Sequence, residues 1–205
     1  MNTASLLDFI ASHESRGDYN VVWAGIRKAD RPKRPLVEMT VGQVLQWQDS
    51  IDAKYQSEAA GRYQILEDTL RGLWREAGLQ LTSLFDREGQ DKLAIALLRR
   101  RGLTSYLEGK ISTETFANNL AREWASLPLV SGKGKGRSAY AGDGLNKALV
   151  DVGPFLAAVE SVKAIPPVRP DVEPLPPKLD PQAFGLAWAI KFIMQAIGLL
   201  TWRKK

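Results

Sequence analysis

The stretch from Pro166 to Pro181, PPVRPDVEPLPPKLDP, holds seven prolines in sixteen residues and decides how the rest of the chain can fold. Each proline fixes its own φ and lacks an amide donor, so neither a helix nor an inner strand can run through it. At this density the backbone extends as polyproline II and, at about 3.1 Å per residue, reaches roughly 50 Å. The chain is therefore expected to divide into a folded body, residues 1–165, a linker, residues 166–182, and a C-terminal segment, residues 183–205.

The C-terminal segment carries twenty positions, Ala183 to Trp202, in which only Lys191 and Gln195 are strongly polar. As a helix they measure about 30 Å, the thickness of a bilayer's hydrocarbon core. A central lysine costs roughly 2.5–3.5 kcal/mol on insertion scales, and each surrounding Ile, Leu or Phe recovers about 0.3–0.6 kcal/mol, so the balance is close to even. A single membrane span is the leading expectation, ahead of an interfacial helix or one buried against a partner. Trp202 followed by Arg203, Lys204 and Lys205 suits an interfacial anchor on the positive side, which directs the body outward, toward the periplasm or cell wall, or onto a virion membrane. Lys191 and Gln195 share a face at i,i+4 spacing and can meet a second helix.

In the body, a hydrophobic share of 44% over the whole chain suffices for a core at this length. Cysteine is absent and His13 is the one histidine, so no disulfide framework, metal centre or cofactor is expected, and a Ser-His-Asp triad is poorly supplied. The net charge of +5 is not concentrated there either. Six basic and three acidic residues lie from Pro166 onward, which leaves +2 for residues 1–165, too thin a stripe for a nucleic-acid partner. The basic clusters at Arg27–Arg34, Arg99–Arg101 and Lys133–Arg137 read as solvated loops or helix ends. The N-terminus lacks the basic start and long apolar run of a secretory signal.

Periodicity predicts a mainly helical body with at most a small sheet. Leu6, Leu7 and Ile10 fall at helical spacing, with Asn2 or Thr3 to cap the start and Gly17 to end the helix, so Glu14 lies in its last turn. Further helices are expected at about residues 40–48, 67–77, 87–101, 112–125 and 144–163. The third of these has a clear start and stop, with Asp86 as cap, Arg99–Arg101 at the negative end of the dipole, and Gly102 beyond. RPLVEM, residues 34–39, is the best short extended candidate. Trp124 falls with Phe116 and Leu120 on a core-facing pattern.

A carboxylic acid at a helix C-terminus faces the negative end of the dipole, and partial burial raises its pKa further, so Glu14 is suited to general acid work. Three ordered segments surround that expectation: HESRGDYN at residues 13–20, SEAAGRYQIL at 57–66, and EWASLPLVSGKGKGRSAY at 123–140. Together they resemble the phage lambda endolysin type of lytic transglycosylase, of the lysozyme-like superfamily, over about residues 1–150. Gln90–Asp91 and AGDGLN, residues 141–146, are similar to segments of prophage-encoded relatives.

The resemblance implies an α+β lysozyme-like fold, peptidoglycan glycan strands as the partner, and Glu14 as the catalytic acid. It implies that Tyr63 and Gln64 line the sugar groove, that Ser126 and Tyr140 form the opposite wall, and that Lys133–Arg137 is a mobile loop over the site. A glycine at 61 lets the backbone approach closely, a ring offers an apolar face to a sugar, and an amide supplies a donor and an acceptor. In the implied reaction Glu14 protonates the glycosidic oxygen between N-acetylmuramic acid and N-acetylglucosamine. It then takes the proton of the muramic C6 hydroxyl, which attacks C1 and leaves a 1,6-anhydro end. The segment from Val37 to Tyr55 departs from the family pattern and is expected on one side of the cleft. A hydrolytic muramidase with Asp49, Asp52 or Glu58 as base therefore stays open, as does a virion protein that binds glycan without cleaving it. Host lysis and virion entry are both consistent with this chain.

Overall fold

A computed structural model of the chain describes residues 3–163; the expected linker, 166–182, and hydrophobic segment, 183–202, lie outside the described residues. Seven α-helices occur among them: α1 (Ala4–Glu14), α2 (Val41–Ile51), α3 (Glu67–Leu73), α4 (Arg87–Arg100), α5 (Leu103–Leu107), α6 (Thr113–Ala121) and α7 (Val152–Ser161). The mainly helical, lysozyme-like fold class holds, and β-structure among the described residues is confined to isolated bridges such as Val22 with Ala60 and Ala60 with Ile65.

Helix α1 buries Leu6, Leu7, Ile10 and Ala11, a stripe whose burial is worth roughly 1.5–3 kcal/mol for each large side chain. Glu14 falls three residues after Ala11 and four after Ile10, so the same stripe carries its carboxyl inward. Beyond it the backbone turns left-handed at Arg16 (φ 56°) and Gly17 (φ 83°), and the Gly17 amide returns to the Ala11 carbonyl at 3.1 Å. These two left-handed residues end the helix.

Helix α2 starts at a capping box between Thr40 and Gln43 and buries Val41, Val44, Leu45, Gln48 and Ile51. Helix α4 is capped by Asp86, as expected, and buries residues over a wide arc, including Gln90, Leu93, Ala94, Leu97 and Leu98. Its neighbours in sequence, α3 and α5, are also its neighbours in space. Helix α7 closes the body by packing on both α1 and α6, where Phe9 and Phe155 stack 6.2 Å apart.

Two expectations are corrected. Residues 34–39 are not extended: Leu36–Glu38 form a 3-10 turn, because Pro35 presets the entry and the Asn20 side chain accepts from the Val37 amide at 3.1 Å. The last helix begins at Val152 rather than near residue 144, because the Asp143 carboxylate accepts from the amides of Leu145 and Asn146 and from the Asn146 side chain, which holds that stretch as a turn.

Candidate active site

Glu14 opens onto a cleft of about 500 Å³ bounded by Trp23, Gln64, Ser126, Tyr140 and the lip Leu145–Lys147. Of the five residues expected at the site, Glu14, Gln64, Ser126 and Tyr140 therefore meet there. Ser126 donates from Oγ to Glu14 Oε1 at 2.5 Å, across 112 positions of sequence. Burial raises the Glu14 carboxyl above the ordinary glutamate range, and the Ser126 hydrogen bonds oppose that rise without cancelling it. Tyr140 is 43% exposed, with its hydroxyl donating to the Arg122 carbonyl at 2.6 Å, so its ring is held at the rim.

Tyr63 does not line the cleft. Its side chain is 1% exposed and points into the body, where its hydroxyl donates to Asp91 Oδ1 at 2.7 Å. Burial, and then the Asp91 hydrogen bond and charge, push its phenol well above the usual tyrosine range. The groove expectation fails at this residue because Arg62, Tyr19 and Asp91 offer a polar pocket on the inner side of the turn. Arg62 bonds the hydroxyls of Tyr19 and Tyr63, at 3.1 and 2.8 Å, and also pairs with Asp8.

The turn itself is gripped from several elements. Ser15, the residue after the acid, donates to the Arg62 carbonyl at 2.8 Å, which ties the end of α1 to it. Gln90 from α4 accepts from the Arg62 amide at 2.8 Å and donates to the carbonyls of Tyr19 and Phe85 at 3.0 and 2.9 Å. Gln48 from α2 donates to the carbonyls of Glu58 and Ile65 at 3.0 and 2.9 Å. Gly61 is required here, since its φ is 76° and a Cβ would lie 2.3 Å from Gln90 Oε1. Gln64 then takes φ 48°, uncommon for a residue other than glycine, and its side-chain amide bends back to the Gly61 carbonyl at 2.9 Å. Such a backbone at a cleft wall fits a functional position held by its surroundings.

The candidate second carboxylates do not line the cleft. Asp49 and Asp52 are exposed at the end of α2 and just after it, and Glu58 accepts from the Glu67 amide at 2.9 Å as a cap for α3. Glu123 is the other carboxylate in the cleft wall among the described residues, and it is paired with Arg101 at 2.6 Å. The segment from Val37 to Tyr55 does not form a cleft wall either; residues 56–66 and Trp23 do, with α2 behind them. Lys133–Arg137 folds into a hairpin-like turn, with the Leu129 amide bonded to the Arg137 carbonyl at 2.8 Å, and lies off the cleft. Trp124 is buried, as expected, and its indole N–H donates to the Tyr63 carbonyl at 3.1 Å.

Trp23 is the site residue that sequence reasoning missed. Its ring lies against Gly25, where a Cβ would come within 2.0 Å of it, and that close approach holds the ring beside the cleft. The signal was the Trp-x-Gly spacing, which allows an aromatic ring to lie over bare backbone. No cluster of three or more metal-ligating side chains occurs among the described residues, and no helix there is long and apolar enough to cross a membrane.

Compared with known proteins, the chain matches the Endolysin family model over residues 9–155. Searches of curated proteins and of solved structures return no match.

Proposed function

The chain belongs to the Endolysin family of phage peptidoglycan-degrading enzymes, and from that premise we propose a lytic transglycosylase that works through one acid, Glu14. The observation that carries this reading is the state of the cleft's carboxyl groups. Glu14 is partly buried, raised in pKa and oriented by Ser126, whereas Glu123 is neutralised by Arg101. A protonated Glu14 delivers its proton to the glycosidic oxygen as the bond to muramic C1 breaks. The resulting carboxylate takes the proton of the muramic C6 hydroxyl, whose oxygen closes on C1 to give the 1,6-anhydro sugar. An internal nucleophile replaces water, so no second carboxylate is needed to activate one.

Mass spectrometry of fragments released from purified peptidoglycan tests the reaction. Products lighter by one water at the muramic end are expected. Reducing muramic ends would show hydrolysis instead and turn attention to Glu123. The proposed setting is a catalytic body carried on the 166–182 linker from a membrane segment at 183–202, facing the cell wall during host lysis or virion entry. Protease digestion of the body in spheroplasts is the expected result, and protection would reverse that topology.

A further inference from the structure

A second hollow of about 570 Å³ lies between the loop at residues 29–34 and α2. Its floor includes Met39, Trp47 and Ile51, and its rim carries Arg31, Lys33, Arg34 and Lys54. Asp30 is the one carboxylate lining it among the described residues, and it is already engaged by Tyr55 at 2.6 Å, Arg27 at 3.1 Å and Lys54 at 3.6 Å. Arg31, Lys33 and Arg34 have no carboxylate within ion-pair distance among the described residues, so the hollow presents three uncompensated cations.

The loop that carries them is fixed in place. The Trp47 indole donates to the Asp30 carbonyl at 2.9 Å, Arg31 Nε to the Ile26 carbonyl at 3.0 Å, and Arg34 to Gln43 Oε1 at 2.6 Å. A pinned loop gives its cations a set spacing at little entropic cost on binding. Lys54, which lines the hollow, and Gln56, which lines the cleft, are two residues apart, and that length of chain spans at most about 7 Å.

We propose that this hollow binds the free carboxylates of the peptide stems on the glycan strand, with Arg31, Lys33 and Arg34 as determinants of preference for stem-bearing substrate. The inference rests on the reading of the Glu14 cleft as the glycan site. A stem of four residues, extended, reaches about 14 Å from its muramic sugar, far enough to pass from the cleft into the hollow. Apolar stem side chains meet Trp47 and Met39, while each carboxylate meets a cation that is otherwise unpaired.

The test uses the full chain and an Arg31→Ala, Lys33→Ala, Arg34→Ala variant on two substrates: intact peptidoglycan, and glycan strands stripped of stems by an amidase. The variant is expected to lose about tenfold in kcat/KM on intact material and nothing on stripped strands, which also shows that it folds. An equal loss on both substrates, or none on either, would overturn the proposal. In a Glu14→Gln background, retention on insoluble peptidoglycan should weaken by a similar factor, a readout that stands even if the parent cleaves no bond and the proposed reaction fails. Unchanged retention, combined with loss of binding to phosphatidylglycerol vesicles, would assign the three cations to a membrane surface and overturn the stem site.

Discussion

The segment from Glu58 to Leu66 separates two regions built on opposite terms. Behind it, buried polar groups are matched almost one for one: Gln90 uses both its amide atoms, Arg62 meets Asp8, Asp91 and two phenols, and among the described residues only Gln48 Oε1 and Arg62 Nε are left without a partner. In front of it, Glu14 is bonded only by Ser126, and Gln64 occupies a left-handed backbone conformation. The densely bonded side supplies rigidity, and the side facing the cleft holds the carboxyl that a substrate can reach. Function and stability should therefore come apart when the two faces are mutated.

The largest effect is expected in front. Glu14→Gln should lower the rate of glycan cleavage by about 10²–10⁴-fold with the fold intact, measured by fragment release beside a thermal melt. Behind the segment, Gln90→Leu leaves two carbonyls and an amide without partners and should cost about 3 kcal/mol by urea unfolding. Any loss of activity in that variant should follow the unfolded fraction. Ser126→Ala should have a smaller effect, about tenfold in rate, and should move the alkaline limb of the pH profile upward, since it removes a bond that lowers the Glu14 pKa.

The smallest effect is a matter of sign. The native Glu14 carboxyl titrates above its unfolded value, so the folded state keeps its proton to higher pH than the unfolded chain. Its contribution to stability therefore falls as pH rises through that window. Glu14→Gln should melt above the parent at neutral pH, and the gap should close as pH drops below the ordinary glutamate range. A parent that is the more stable protein at neutral pH would show that the acid is held as a contented anion, and the contrast between the two faces would be lost.

The sequence disclosed what local periodicity controls. The stripe of Leu7, Ile10 and Ala11 leads to Glu14, and Asp86 marks the start of α4, so the place of Glu14 at the end of α1 and the central helix were legible. Tyr63 was misread because its inward turn depends on Asp91, 28 positions away, which no spacing rule connects to it. The roles of Gln48 and Gln90 were hidden, because the carbonyls they satisfy belong to loops whose paths are set by tertiary packing. The turn at Leu36–Glu38 was hidden for the same reason, since Asn20 fixes it from outside the segment. The hollow beside α2 lies in a run of basic residues that composition alone reads as solvated.

The seat of α1 has a consequence in time. Within the body the helix bearing Glu14 is synthesised before the groups that seat it: the serine that bonds its carboxyl comes 112 residues later, and the helix that α1 packs on spans Val152–Ser161. A nascent or truncated chain ending before Val152 thus carries the acid without its setting, and is expected to release no glycan fragments. Peptidoglycan degradation by this enzyme is thus expected only once synthesis of the body is complete.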